Sequence, residues 1–151
     1  DRQRWLVEKL VELGVSQVIP LRTERSEVHP DLRNVVKLQR CVIEASKQCG
    51  RNLLMQIGPV TSLSEFVSAA PDTALRWLAD PTGERPGANA GQDRAAYLAV
   101  GPEGGFSAEE RLLARSAGWH VVSLGARILR VETACCVFVT LVLPELAPAT
   151  G

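Results

Sequence analysis

Nowhere does this sequence hold the roughly 20 consecutive apolar residues that a membrane-crossing helix needs, and it opens on no basic-then-apolar leader. A cytoplasmic protein without membrane contact is therefore expected. Because the chain starts at Asp1 rather than Met, an upstream segment is expected as well. Cysteine is scarce, and the four present make no framework. Cys41 and Cys49 lie eight residues apart on one expected helix, about 12 Å, too far for a disulfide. Cys135 and Cys136 are adjacent in an apolar run, no Cys-x-x-Cys occurs, and both histidines are remote from any cysteine pair, so no metal site is expected. Net charge is also missing: 17 Lys and Arg balance 17 Asp and Glu. Gly-x-Gly-x-x-Gly is absent, as is a Gly-Lys-Ser/Thr ending, which argues against a dinucleotide oxidoreductase and a P-loop nucleotidase.

What is present describes one ordinary globular domain of 151 residues, 46% of them hydrophobic. A domain of this size buries roughly 68–70% of its unfolded surface and needs no disulfide or metal to hold together. Charge is unevenly spread: residues 1–60 carry 10 basic and 7 acidic side chains, residues 61–151 carry 7 and 10. Arginine supplies 14 of the 17 bases, and its planar fork suits phosphates and bases. Arg22, Arg25, Arg33, Arg40 and Arg51 all fall in the first half, where they are either an RNA face or solvated helix surface.

Apolar periodicity alternates between helix and strand. Trp5 to Leu13 predicts a helix stopped by Gly14, and Val15–Leu21 a strand. Asp31 to Cys49 predicts a second helix closed by Gly50. Ser62-Leu-Ser-Glu65 is a capping box for a short helix to about Ala70. Thr73–Ala79 predicts a strand, and the Gly- and Pro-rich stretch from Asp80 to Gly91 an irregular segment. Arg94–Val100 predicts a buried strand, Ser107-Ala-Glu-Glu110 caps a helix that Gly118 ends, and Trp119–Ser123 predicts another strand. A loop from Leu124 to Arg130 leads to an apolar helix from Glu132 to Leu143, stopped by Pro144. The alternation predicts an α/β fold: a mostly parallel sheet with helices on both faces. There is no internal repeat and no domain boundary.

Ligands of such sheets sit beyond the carboxyl ends of strands, where both glycine-bearing loops fall. Gly101-Pro-Glu-Gly-Gly-Phe106 joins a strand to a capped helix, and its glycines let backbone approach a ligand. A plain tight turn is the alternative. Leu124-Gly-Ala-Arg-Ile-Leu-Arg-Val-Glu-Thr-Ala134 sets two arginines beside an apolar pair, as fits a site where a charged nucleic acid meets an apolar cofactor pocket. Exposed loop arginines would explain it equally.

Together the two loops resemble those of the trefoil-knotted (SPOUT) methyltransferase superfamily, and within it the bacterial uridine-N3 methyltransferases of small-subunit (16S) ribosomal RNA. Lys9-Leu-Val-Glu-Leu-Gly14, Pro20-Leu-Arg-Thr-Glu-Arg25 and Glu44-Ala-Ser-Lys-Gln-Cys-Gly-Arg51 extend the resemblance over nearly the whole chain. Asn52-Leu-Leu and Lys47 depart from the family's pattern, away from the loops. The resemblance implies a carboxy-terminal trefoil knot, a homodimer, and S-adenosylmethionine as cofactor. It also implies an amino-terminal PUA-like RNA-binding β-barrel that residues 1–151 do not contain. It places Leu78, Gly101, Glu103, Gly105, Leu124, Gly125, Ile128, Leu129, Arg130 and Thr133 at the cofactor. Arg22, Arg25, Glu44, Gln48 and Arg51 would meet the RNA, the last three at i, i+4 and i+7 on one helix face.

Uracil N3 must lose a proton before it accepts a methyl group, and its carbonyl oxygens then gain charge. Arg51 and Arg130 are the candidates to stabilise that charge. Glu103 and Glu132 are the candidate bases, although cofactor binding or helix capping would account for either. Two other readings stay open: methylation of another RNA, such as a tRNA ribose 2′-hydroxyl, and a non-catalytic RNA- or nucleotide-binding module. The many apolar faces of the last helix predict a homodimer independently of the resemblance.

Overall fold

The computed structural model of the chain describes residues 2–27, 32–87 and 94–143, with the side chains of all but 32 and 33. Helix α1 (Arg2–Glu12) and helix α2 (Leu32–Cys49) pack on each other through Val7, Leu10, Val11, Cys41, Val42 and Ala45. Gly14 turns the chain out of α1 with φ 83°, a conformation glycine adopts without a Cβ penalty. The strand expected over Val15–Leu21 forms as two short pieces, β1 (Gln17–Val18) and β2 (Leu21–Arg22). They pair in parallel with β3 (Gln56–Ile57) and β4 (Thr61–Ser62), strands that the apolar pattern does not reveal. Pro20 and Pro59 lack the N–H that a continuous ladder requires, so the pairing breaks between them.

Helix α3 (Leu63–Ala69) starts at the expected capping box, with Ser62 Oγ accepting the Glu65 amide and the Glu65 carboxylate accepting the Ser62 amide. Strand β5 (Leu75–Glu84) then forms the centre of a parallel sheet, between β6 (Ala96–Val100) and β7 (His120–Val122). Helix α4 (Ala108–Ser116) connects β6 to β7, and helix α5 (Val131–Val142) ends the described chain. Neighbouring residues on the strands face opposite ways, which distributes the helices. Leu78, Ala99 and Val121 pack with Phe66, Val67 and Ala114 from α3 and α4, while Trp77 and Val122 pack with Phe138 and Val142 from α5. The sheet is parallel and covered on both faces, as the alternation of strands and helices predicts.

The segment from Asp80 differs from the expectation of an irregular stretch. Strand β5 runs on to Glu84, and Ala79 and Glu84 both register with Val122. The Asp80 carboxylate explains the bulge: one oxygen accepts the Thr82 amide at 3.0 Å and the Thr82 hydroxyl at 2.6 Å, folding Pro81–Gly83 back into the sheet. Residues 88–91 of that stretch lie outside the described residues, as do the expected helix start at Asp31 and stop at Pro144.

Candidate functional site

Because β5 lies between β6 and β7, the loops leaving those two strands flank the Leu78–Asp80 end of β5 at one edge of the sheet. This is the carboxyl end of β6 and β7, beside the bulge that interrupts β5 after Ala79, and the carboxyl ends of strands are the position at which parallel sheets bind ligands.

The first loop is a tight turn anchored at its far end. The Gly105 amide donates to the Pro102 carbonyl at 2.8 Å, and Gly105 has φ 72°. Phe106 is buried in the α3–α4 core, and a Cβ on Gly101 would meet its ring at 3.2 Å, so glycine suits that site for packing reasons. Gly105 differs: a Cβ there would find no atom within 4 Å, so the loop presents bare backbone to open space. The amides of Glu103, Gly104 and Phe106 find no backbone acceptor among the described residues. Ser107 and Glu110 complete the expected capping box of α4. Arg111 braces the loop from below, with Nη1 donating to the Phe106 carbonyl at 2.7 Å and lying 3.5 Å from Asp80, whose side chain is only 4% exposed.

The second loop is more open. Gly125 has φ 128°, and its amide donates to Ser123 Oγ at 3.4 Å. Leu124 tucks against the Trp77–Phe138 cluster, whose rings stack 6.1 Å apart. Ile128 is 96% exposed, an apolar side chain held out from the loop, while Leu129 is half-buried. Arg130 takes the N-cap position of α5 in extended geometry and makes no side-chain capping bond. Its carbonyl accepts the Ala134 amide at 2.8 Å, and its exposed guanidinium pairs with neither Glu103 nor Glu132. Thr133 is exposed in the first turn of α5.

The structure therefore brings Gly101, Glu103 and Gly105 on one loop, Leu124, Gly125, Ile128, Leu129 and Arg130 on the other, and Thr133 in the first turn of α5, to the same end of the sheet on either side of β5. Leu78 shares that end of the sheet, but its side chain is wholly buried with Phe106 and Ala99 and has no surface to offer a ligand. The proposed RNA residues are dispersed. Glu44 pairs with Arg4 at 3.1 Å, and Gln48 lines the same α1–α2 groove. Arg51 is half-buried and donates Nη1 to the Val11 carbonyl at 3.2 Å, so it caps α1 instead of meeting either loop. The amphipathic packing of α2 on α1 turns the face with Glu44 and Gln48 toward the groove, whereas Arg51 does not share that helix face as expected: α2 ends at Cys49, and Gly50, with φ 74°, turns the chain away before Arg51. Arg22 lies on β2 near Glu65, whose carboxyl is held below its ordinary pKa by the Ser62 hydrogen bonds and, less strongly, by the Arg22 charge. Arg25 reaches the first loop, donating Nη1 to the Gly104 carbonyl at 2.8 Å. Asp80, Arg111 and this contact of Arg25 escape sequence reasoning, for only tertiary packing joins them. Among the described residues no His, Cys, Asp and Glu cluster could hold a metal ion.

Over residues 1–143 the sequence matches the family described as RNA methyltransferase domain. A ribosomal RNA small subunit methyltransferase E of Synechocystis is 36% identical over 135 residues, which cover 85% of this chain and 45% of that protein. Its namesake in Aquifex aeolicus is 32% identical over 142 residues, covering 91% and 61%. Among solved structures, the enzyme of that name from Neisseria gonorrhoeae, bound to S-adenosyl methionine, aligns with a TM-score of 0.84 and 31% identity over 93% of this chain and 59% of its own. A Legionella pneumophila protein in complex with the cofactor SAM aligns with a TM-score of 0.82 and 33% identity, covering 94% and 60%. This chain thus spans 45% and 61% of the two curated relatives named here.

Proposed function

Since the chain belongs to the RNA methyltransferase domain family, we propose that it methylates N3 of a uridine in small-subunit (16S) ribosomal RNA, with S-adenosylmethionine as donor. The observation that carries this reading is the pair of glycine loops at the carboxyl edge of one sheet, in a fold shared with relatives solved with that cofactor.

The residues at this edge fit such a cofactor. Gly105 leaves open space where any other residue would place a side chain, and Glu103, Gly104 and Phe106 offer amides without backbone partners. Across from them Leu124, Ile128 and Leu129 supply apolar surface, with Gly125 and Thr133 as close backbone and a hydroxyl. When bound, S-adenosylmethionine supplies a methyl group activated by its sulfonium. The chain's own part is to position the reacting groups and to stabilise charge. Arg130 leads from the apolar pair to the start of α5, and its exposed guanidinium, without an ion pair among the described residues, can face a uracil oxygen as N3 gives up its proton. Arg51 is already engaged with Val11, so the charge-stabilising role rests on Arg130. Glu103 and Glu132 are the carboxylates of this edge that could take the proton. Arg22, Arg25, Glu44, Gln48 and Arg51 are the candidates that the family resemblance offers for the RNA face.

The trefoil knot, the cytoplasmic location and the homodimer belong to the same proposal. The dimer finds support in α5, where Leu141 stays 38% exposed on a mostly apolar helix. No helix among the described residues is long and apolar enough to cross a membrane. The reading is tested by transferring labelled methyl from S-adenosylmethionine to small-subunit particles and identifying the modified nucleoside. The label is expected in 3-methyluridine. Label in a ribose 2′-O-methyl nucleoside, or no transfer beside clear cofactor binding, would replace it with one of the rival readings.

A further inference from the structure

The first glycine loop is held from outside by a device in the other half of the chain. Residues Thr23 to Ser26 form a turn closed on itself. The Ser26 amide donates to the Thr23 carbonyl at 3.2 Å, the Thr23 amide donates to Ser26 Oγ at 3.0 Å, and the two hydroxyls lie 2.8 Å apart. Thr23 is buried, which fixes the turn against the body of the protein. From this rigid base the Glu24 amide donates to Glu110 Oε1 at 2.8 Å, and Arg25 Nη1 donates to the Gly104 carbonyl at 2.8 Å.

These contacts act on particular peptide planes. A peptide unit is flat, so holding its oxygen and its N–H fixes its orientation. The Gly104–Gly105 unit is held at both ends, its oxygen by Arg25 and its N–H by the Pro102 carbonyl. The Phe106–Ser107 unit is held likewise, its oxygen by Arg111 and its N–H by Glu110 Oε2 at 2.9 Å. Between them lies the Gly105–Phe106 unit, next to the open space at Gly105. Its geometry is set by its two fixed neighbours. Of the groups that fix them, Arg25 alone comes from outside the β6–α4 segment, and its stem lies 3.4 Å from where a Gly104 Cβ would stand.

We propose that Arg25 is a positioning residue for the cofactor site: by holding the Gly104 carbonyl it sets the backbone that meets S-adenosylmethionine, and it serves cofactor affinity instead of RNA affinity. This rests on the methyltransferase reading above and assigns Arg25 a different task from the phosphate contact expected of a basic residue in this half of the chain.

The test compares Arg25→Ala, Arg25→Lys and Arg25→Gln in the whole chain, titrated calorimetrically with S-adenosylmethionine and assayed for the KM of cofactor and of small-subunit particles. Losing a charge-assisted hydrogen bond at an exposed position is expected to weaken cofactor binding about tenfold in Arg25→Ala and to raise the cofactor KM alike. The particle KM should stay within about twofold, since no phosphate contact is lost. Arg25→Lys should recover most of the affinity, because a single N–H is used and lysine keeps both charge and donor. Unchanged cofactor affinity with a raised particle KM would overturn the proposal in favour of an RNA contact. Equal losses in the lysine and alanine proteins would overturn it too, as a general structural effect. Should the alanine protein fail to fold, the comparison of lysine with glutamine carries the same two outcomes. If the unaltered chain binds no cofactor, the methyltransferase reading fails first; if it binds and all three variants bind equally, only the role of Arg25 fails.

Discussion

An arginine without an ion pair keeps its five donors for another molecule. Among the described residues Arg130 has no such pair, and a structural role for it, as a loop tie to Glu103 or Glu132, has no counterpart among the described ion pairs. Arg130→Ala is therefore expected to lower turnover by about 10²–10³, as losing one charge-stabilising donor does, with cofactor affinity nearly kept. Normal single-turnover methylation by that variant at saturating RNA and cofactor would remove Arg130 from the chemistry. Gly83 makes a different demand. A Cβ there would lie 2.5 Å from the Val121 carbonyl oxygen, against backbone that cannot move aside. Gly83→Ala should cost about 1–3 kcal/mol or more through overpacking, read as a lower denaturant midpoint. An unchanged midpoint would mean that the bulge relaxes freely.

Among the elements, α4 carries the load of the site, since its N-terminus begins where the first loop ends. Ser107→Ala removes the acceptor of the Glu110 amide and should cost about 1 kcal/mol of stability. Glu110→Ala should cost more and also weaken cofactor binding, because that carboxylate caps the helix and receives the Glu24 amide. Equal losses from the two substitutions, with cofactor binding untouched by either, would show that the tie to Glu24 is idle. The helices were legible from the sequence because caps and apolar spacing are local signals: both Ser-x-x-Glu boxes form as expected, and α5 begins one residue from its expected start. Strands β3 and β4 were not legible, being two residues each and defined only by their distant partners. The bulge in β5 was hidden for the opposite reason: Pro81 and Gly83 read as loop residues, and the Asp80 carboxylate that folds them into a strand acts through space. The glycine loops were readable as a pair from their residues, whereas Arg25 reaches the first loop from 79 residues away, and Arg111, 5 residues beyond Phe106, meets Asp80 across 31 residues.

At the scale of the whole molecule, the proposed dimer rests on Leu141, the large apolar side chain of α5 left exposed among the described residues. Sedimentation should give a species of twice the 16.4 kDa chain mass at micromolar concentration, and a 16.4 kDa monomer there would contradict the dimer. The account as a whole depends on the two loops making a cofactor site within these 151 residues. Its most direct test is a calorimetric titration of the chain with S-adenosylmethionine, beside the Gly105→Val variant. Valine is strained at φ 72° and would project into the open space that backbone leaves there. Saturable binding by the unaltered chain is expected, with a clear loss of affinity in the variant and the fold retained by circular dichroism. No binding by the unaltered chain, or equal binding by a folded Gly105→Val protein, would contradict it.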